Sequence, residues 1–205
     1  MAVPGNKTRS PRGGAGLRTG GSRGRRPRGS APPPRRQGWV VWLTGIPGSG
    51  KSSVARALAR RTGARVLSMD EIRRVVTPRP TYSEAERDLA YSALATMAHL
   101  LASEGRNVIV DGTANRRRYR DLARSLVPRF AEVYVKCPPE VAMAREGRRG
   151  TGIYRKARRG RAPVPGLTAA YEAPRRPEVV VETEGLTPEE GAELVAKFLK
   201  GRRWQ

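Results

Sequence analysis

From Trp39 onward, apolar positions arrive in two alternating rhythms. "WVVWLTG" is a continuous apolar run, as expected of a strand buried on both faces. "SSVARALARRTG" follows with apolar residues at helical spacing and stops at Gly63. "ARVLSMD" predicts a second strand that ends on Asp70. The long amphipathic stretch "SEAERDLAYSALATMAHLLASEG" predicts a helix, with Ser83 and Glu86 at capping-box spacing and Gly105 as its stop. Then come a third strand "RNVIVDG", a third helix "RRRYRDLARSLV", a fourth strand "FAEVYVKC" and a short helix "PEVAMAREG". A basic segment runs from Arg148 to Arg161. "PEVVVET" predicts the last strand. "TPEEGAELVAKFLKG" predicts a closing helix, with Thr187 as N-cap, Pro188 at the first helical position and Glu190 three beyond the cap. Strands alternating with helices predict an α/β domain around a parallel sheet of about five strands.

The rhythm is absent from residues 1–37. That stretch is Gly, Pro, Ser and Arg with almost no large apolar side chain and no acidic residue. Such a composition buries too little surface to offset its ordering entropy, so disorder is expected there and the domain is expected over 38–205. Three readings of the tail stay open: an arginine-rich arm making non-specific nucleic-acid contact, a solubilising tail without a partner, and an over-long translation.

Composition narrows the rest. The chain has 205 residues, 38% of them hydrophobic, which supports one core. Its formal net charge is +23, a field that favours anionic partners such as nucleotides, nucleic acids and small anionic metabolites. One cysteine, Cys137, excludes an internal disulfide, and one histidine, His99, excludes a Cys/His zinc cluster. Both read as structural residues. No apolar run approaches the length of a membrane span, and the basic N-terminus lacks a following apolar region. A cytoplasmic protein without membrane contact is expected.

"GIPGSGKSS", Gly45 to Ser53, satisfies G-x-x-x-x-G-K-[ST] between the first strand and the first helix. In this pattern Gly45, Gly48 and Gly50 let the backbone curl. The N–H groups around Ser49 and Ser53 then converge on phosphate oxygens, at the positive end of a helix dipole. Lys51 is expected to reach the β- and γ-phosphates of ATP, and Ser52 to ligate Mg²⁺. Asp111, ending "VIVD", is the second Mg²⁺ candidate; its alternative role is capping the turn "DGTAN". Asp70 is expected beside it, to orient or deprotonate an acceptor hydroxyl, with N-capping of "EIRR" as the alternative. The segment "REGRRGTGIYRKARRGR" reads as a mobile lid whose arginines, Arg145 among them, close over ATP and exclude water.

Taken together, "WLTGIPGSGKSSVARALA", "TYSEAERD", "IYRKARRG" and "GLTAAYEAP…PEVVVET" resemble the adenylyl-sulfate (APS) kinase family, in order and over the whole predicted domain. The resemblance implies a P-loop NTPase fold of the nucleoside-kinase-like type, a three-layer α/β sandwich with a basic lid. It also implies MgATP-dependent phosphorylation of the ribose 3′-hydroxyl of adenylyl sulfate. By position, Arg73 and Arg87 match its substrate-binding arginines and Asp70 the second acid of its D-G-D motif; Asp70 is expected to be catalytic together with the Lys51 and Asp111 read above, and Lys156 and Leu167 are counted with the substrate-binding residues. Tyr82 falls where an aromatic stacks on the substrate adenine. Several positions depart from the family pattern: Ser68 and Met69 in its D-G-D motif, Ala90 for an asparagine, Ala114 for a serine, Pro165 for a lysine, and Leu167 for the second stacking aromatic. "VIVDGTANRRRYRDLAR" also resembles other small P-loop kinases, including the polynucleotide-kinase type. Two alternatives therefore stand beside an adenylyl-sulfate kinase: a kinase for another small-molecule or nucleic-acid hydroxyl, and a nucleotide-binding module without transfer activity. The oligomeric state is left open, a homodimer included.

Overall fold

A computed structural model describes residues 36–150, 152–160 and 163–204, with the backbone alone at Lys156. The disorder expected over residues 1–37 thus falls almost wholly outside the described residues. Twelve elements follow in the order β1 (Val40–Thr44), α1 (Lys51–Thr62), β2 (Arg65–Ser68), α2 (Met69–Val76), α3 (Glu84–Ser103), β3 (Val108–Asp111), α4 (Arg117–Leu126), β4 (Phe130–Lys136), α5 (Pro139–Arg149), α6 (Ile153–Arg158), β5 (Val179–Glu182) and α7 (Pro188–Gly201).

The five strands form one parallel sheet in the order β2-β3-β1-β4-β5. β1 sits at the centre, and all five of its residues are buried. Its residues point alternately to two cores, as the period of a strand requires. Val41 and Leu43 join Val54, Leu58, Val195 and Leu199 on the side of α1 and α7. Val40 and Trp42 join Tyr91, Leu94, Ala98 and Tyr119 on the side of α3 and α4. The result is helix, sheet and helix in three layers, as expected.

The order places β1 between β3 and β4, so the chain leaves the central strand first to one side and later to the other. In an open α/β sheet that reversal opens a crevice at the carboxyl ends of the strands. The register brings Leu43 and Ser68 level with Asp111 at that edge.

Three local expectations change. β2 ends at Ser68, whose hydroxyl accepts a hydrogen bond from the Glu71 amide at 3.4 Å and so caps α2. Asp70 therefore neither ends a strand nor caps a helix; it is the second residue of α2. At α3, Ser83 accepts from the Glu86 amide at 3.2 Å, but the Glu86 carboxylate bonds Thr81 and Tyr82 rather than Ser83, so the box is not closed. Only the Thr187 cap of α7 makes both bonds of a capping box among the described helices. Finally, the basic segment contains a helix, α6, because Tyr154, Ala157 and Val164 bury together against Met143.

Candidate active site

The phosphate-binding loop runs from Gly45 to Gly50 between β1 and α1. Gly48 and Gly50 have φ of 79° and 99°, in the left-handed region that side chains disfavour. A Cβ on Gly48 would lie 2.2 Å from the Ala142 carbonyl oxygen, so the glycine also lets α5 pack onto the loop. Ser49 is buried, and its carbonyl accepts a hydrogen bond from the Thr183 hydroxyl at 2.9 Å. Arg145 donates to that hydroxyl at 2.9 Å and to the Thr183 carbonyl at 2.6 Å. Arg145 thus ties α5 to the end of β5 beside Gly50. Ser53 accepts from Arg149 at 3.3 Å.

Lys51 is buried at the start of α1. Its Nζ donates to the carbonyls of Gly45 and Ile46, each at 2.9 Å, and so closes the loop on itself. Burial pulls its pKa down to about 8; the carboxylates of Asp111 and then Asp70 oppose that shift, and Arg149 adds to it. Both acids therefore act on the lysine electrostatically. Among the described residues neither Asp70 nor Asp111 accepts a side-chain hydrogen bond or forms an ion pair, so Asp111 shows no capping bond in its turn. Two unengaged carboxylates and the Ser52 hydroxyl are hard oxygen donors. Mg²⁺ prefers such donors, taking one or two protein ligands and leaving its other positions to water and phosphate. Among the described residues no group of three or more His, Cys, Asp or Glu side chains is placed to hold a metal ion.

A cavity of about 450 Å³ is lined by Gly48, Lys51 and Ser52 of the loop and α1, by Asp70 and Asp111, and by Arg73, Tyr82 and Arg87. Tyr82 is held with φ of 56°, and the Arg73 guanidinium lies 5.3 Å from its ring centroid. Arg87 is buried on α3 and already engaged: its Nε donates to the Tyr82 carbonyl at 3.2 Å, Nη1 to Asn115 Oδ1 at 3.3 Å, and Nη2 to the Pro163 carbonyl at 3.2 Å. Leu167 is 42% exposed and does not line the cavity, whereas Pro165 does. Lys156 lies on α6, and its side chain is outside those described.

The sequence singles out neither Asn115 nor Tyr154 at the site, and marks Ala114 only as a departure from the family pattern. Asn115 joins Arg87 to the Ala170 carbonyl at 3.1 Å, so the segment "GTAN" is a hub rather than a plain turn. Within it Ala114 has φ of 43°, its amide donating to the Tyr91 hydroxyl at 2.8 Å. The lid is tied to the loop by Tyr154, whose hydroxyl donates to the Pro47 carbonyl at 2.7 Å. Burial, and then the charge of Glu146, push the Tyr154 phenol up to about 12, so it remains a donor at neutral pH. Tyr154 stands in the quoted "IYRKARRG", where the basic residues drew the eye.

The model of the adenylylsulphate kinase family matches residues 37–182. The chain belongs to this family. Among its relatives, the probable adenylyl-sulfate kinase of Pyrococcus abyssi is 37% identical over 172 residues, 80% of this chain and 96% of that protein. The one from Archaeoglobus fulgidus is 39% identical over 152 residues, 71% of this chain and 96% of that protein. Among solved structures, the Mycobacterium tuberculosis APS kinase CysC in complex with AMPPNP and APS superposes with a TM-score of 0.72 at 31% identity, covering 80% of this chain and 98% of that one. The P-loop kinase fold is thereby shown for this chain. Among the described residues no helix is long and apolar enough to cross a membrane.

Proposed function

We propose that this kinase-family chain transfers the γ-phosphate of ATP to the 3′-hydroxyl of adenylyl sulfate, giving 3′-phosphoadenylyl sulfate and ADP. The observation that carries the reading is the single cavity joining the phosphate-binding loop to Asp70, Arg73, Tyr82 and Arg87. Donor and acceptor ends line one cavity, and a relative of the same fold is solved with an ATP analogue and APS together.

The chain's own residues then act as follows. Loop amides and the α1 N-terminus cradle the phosphates of ATP. Lys51 leaves the carbonyls of Gly45 and Ile46 and turns to phosphate oxygens, where the anion restores the charge that burial disfavours. Ser52 and Asp111 are the residues that would hold Mg²⁺, which, when bound, neutralises charge on the β- and γ-phosphates. Asp70, on the first turn of α2, faces the acceptor hydroxyl and takes its proton as the new P–O bond forms and the bond to ADP breaks. Tyr82 stacks on the acceptor's base, and Arg73 meets its anionic groups. The lid helix α6 keeps water from the transferring phosphoryl group.

The test is ADP release by the purified chain with ATP, Mg²⁺ and adenylyl sulfate, against ATP and Mg²⁺ alone. Acceptor-dependent release with formation of the 3′-phosphorylated product is expected. Release equal to the background without acceptor would overturn the substrate, and release with a different hydroxyl compound would replace it.

A further inference from the structure

Tyr82 is the aromatic of the acceptor end, and its backbone is in the left-handed region, with φ of 56°. That conformation is uncommon for a residue with a bulky side chain and persists only where neighbours impose it. The neighbour responsible is Glu86. Its Oε2 accepts from the Thr81 amide at 2.6 Å, the Thr81 hydroxyl at 2.7 Å and the Tyr82 amide at 3.1 Å. Its Oε1 is buried without a hydrogen-bond partner, and Arg73 Nη1 stands 3.8 Å from it. Arg73 in turn lies over the Tyr82 ring. Arg87 completes the frame by holding the Tyr82 carbonyl.

Helix capping alone does not explain this. Ser83 already accepts from the Glu86 amide, and Ser83's own amide goes to the Thr81 hydroxyl at 3.3 Å. A carboxylate serving the cap would reach back to Ser83. Here it reaches one and two residues further, to the turn that carries the aromatic ring. The hydrogen bond from the Thr81 hydroxyl leads the effects that hold the Glu86 carboxyl below its ordinary range, so it is ionised at neutral pH and remains a strong acceptor.

We propose that Glu86 is the positioning residue of the acceptor site, holding the Tyr82 backbone in its left-handed turn and Arg73 beside the ring, so that acceptor affinity depends on a carboxylate that need not touch the acceptor. This rests on reading the Tyr82 end of the cavity as the acceptor end. It concerns affinity rather than the chemical step, because Glu86 lies outside the set of Lys51, Asp70 and Asp111.

The experiment compares Glu86→Gln and Glu86→Asp with the parent chain, alone and combined with Tyr82→Ala. Glu86→Gln should raise the KM for adenylyl sulfate on the order of tenfold, within the range set by one lost stacking partner. The KM for ATP and the rate at saturating acceptor should stay within about twofold, since the donor end is untouched. Glu86→Asp, which keeps the charge, should recover part of the loss. In the Tyr82→Ala background, Glu86→Gln should add little, because the ring it positions is gone. A merely structural role would instead lower the rate and both affinities together, or act as strongly without the ring; either result overturns the proposal. A second readout needs no turnover: the Cα and carbonyl chemical shifts of Tyr82 report its left-handed backbone. Their movement away from left-handed values in Glu86→Gln supports the proposal, and their persistence in that variant overturns it. If the parent chain releases no ADP with adenylyl sulfate yet these shifts move, the choice of substrate has failed and the positioning role has not.

Discussion

At the scale of single residues, the site combines two carboxylates that the fold leaves unengaged with side chains that the fold itself engages. Lys51 is the clearest case, since two loop carbonyls occupy its ammonium. Lys51→Ala removes two internal hydrogen bonds, each worth about 0.5–1.5 kcal/mol net, and so should lower the melting temperature by roughly 2–12 °C without unfolding the domain. On the proposed reading it also removes the charge that meets the transferring phosphoryl group. Loss of one such electrostatic contact costs on the order of a hundred- to a thousandfold in turnover. ADP-release kinetics beside a thermal melt check both halves; near-parental turnover would remove Lys51 from the mechanism. The two free carboxylates should separate in the same assay. Asp111→Asn should raise the Mg²⁺ concentration needed for half-maximal rate, and Asp70→Asn should cut the rate with ATP affinity largely kept. Small and equal effects would make both acids structural.

At the scale of elements, the legible parts were those whose cause is local. β1, the loop and α1 follow from a doubly buried strand, a glycine pattern and helical spacing within 25 residues of one another. α7 was legible for the same reason, its capping box lying within four residues. The displaced parts depend on distant partners. Asp70 is the local exception: it reads as a strand end, although the Glu71 amide bonds the Ser68 hydroxyl three positions back and α2 starts at Met69. Asn115 reads as a turn residue because its partners, Arg87 and Ala170, are 28 and 55 positions away. The lid read as charge alone because the contact that seats α6, Tyr154 to Pro47, spans 107 positions. That contact makes a prediction at its own scale. Tyr154→Phe keeps the buried ring and removes only the donor to Pro47, so α6 should remain folded but seat less firmly on the loop. Water should then reach the phosphoryl group more often. ADP release without acceptor should rise severalfold relative to acceptor-dependent release, measured with and without adenylyl sulfate. An unchanged ratio would mean that the lid is seated by its apolar contacts with Met143 and Val164 and not by the phenol.

At the scale of the whole molecule, charge sets the conditions under which this fold holds. Nine of the 41 basic residues and none of the 18 acidic ones lie in residues 1–35, so the rest of the chain still carries a formal charge of +14. The acids are few, and the folded state holds several of them in hydrogen bonds and ion pairs. Glu172 accepts from the Arg117 amide and pairs with Arg116, which lowers its pKa from the ordinary 4.5. Glu178 is partly buried, which alone would raise its pKa, but hydrogen bonds from Arg124 at 2.5 and 2.9 Å and from the Glu132 amide at 2.6 Å outweigh burial and lower it. Asp88 is lowered by the hydroxyl of Tyr119 and by Arg118. In each case the folded protein releases the proton more readily than the unfolded chain does. Unfolding therefore takes up protons as the pH falls past the ordinary carboxylate value, and the stability these groups supply, complete above that value, is lost as the pH drops through their depressed folded values. Melting temperature should be flat from pH 7 to about 5 and fall steeply below it. General repulsion among the arginines would also weaken the fold in acid. Glu178→Gln separates the two effects. The variant should melt lower than the parent at pH 7, because Arg124 and the Glu132 amide lose their carboxylate. The gap should close as the pH drops through the depressed folded value of Glu178, where the parent's carboxylate is itself becoming neutral. Repulsion alone predicts a different course, since removing one acid leaves the variant more positive and its disadvantage need not vanish. A gap that stays constant throughout the parent's acid transition would therefore show that Glu178 stabilises the fold by shape and not by charge.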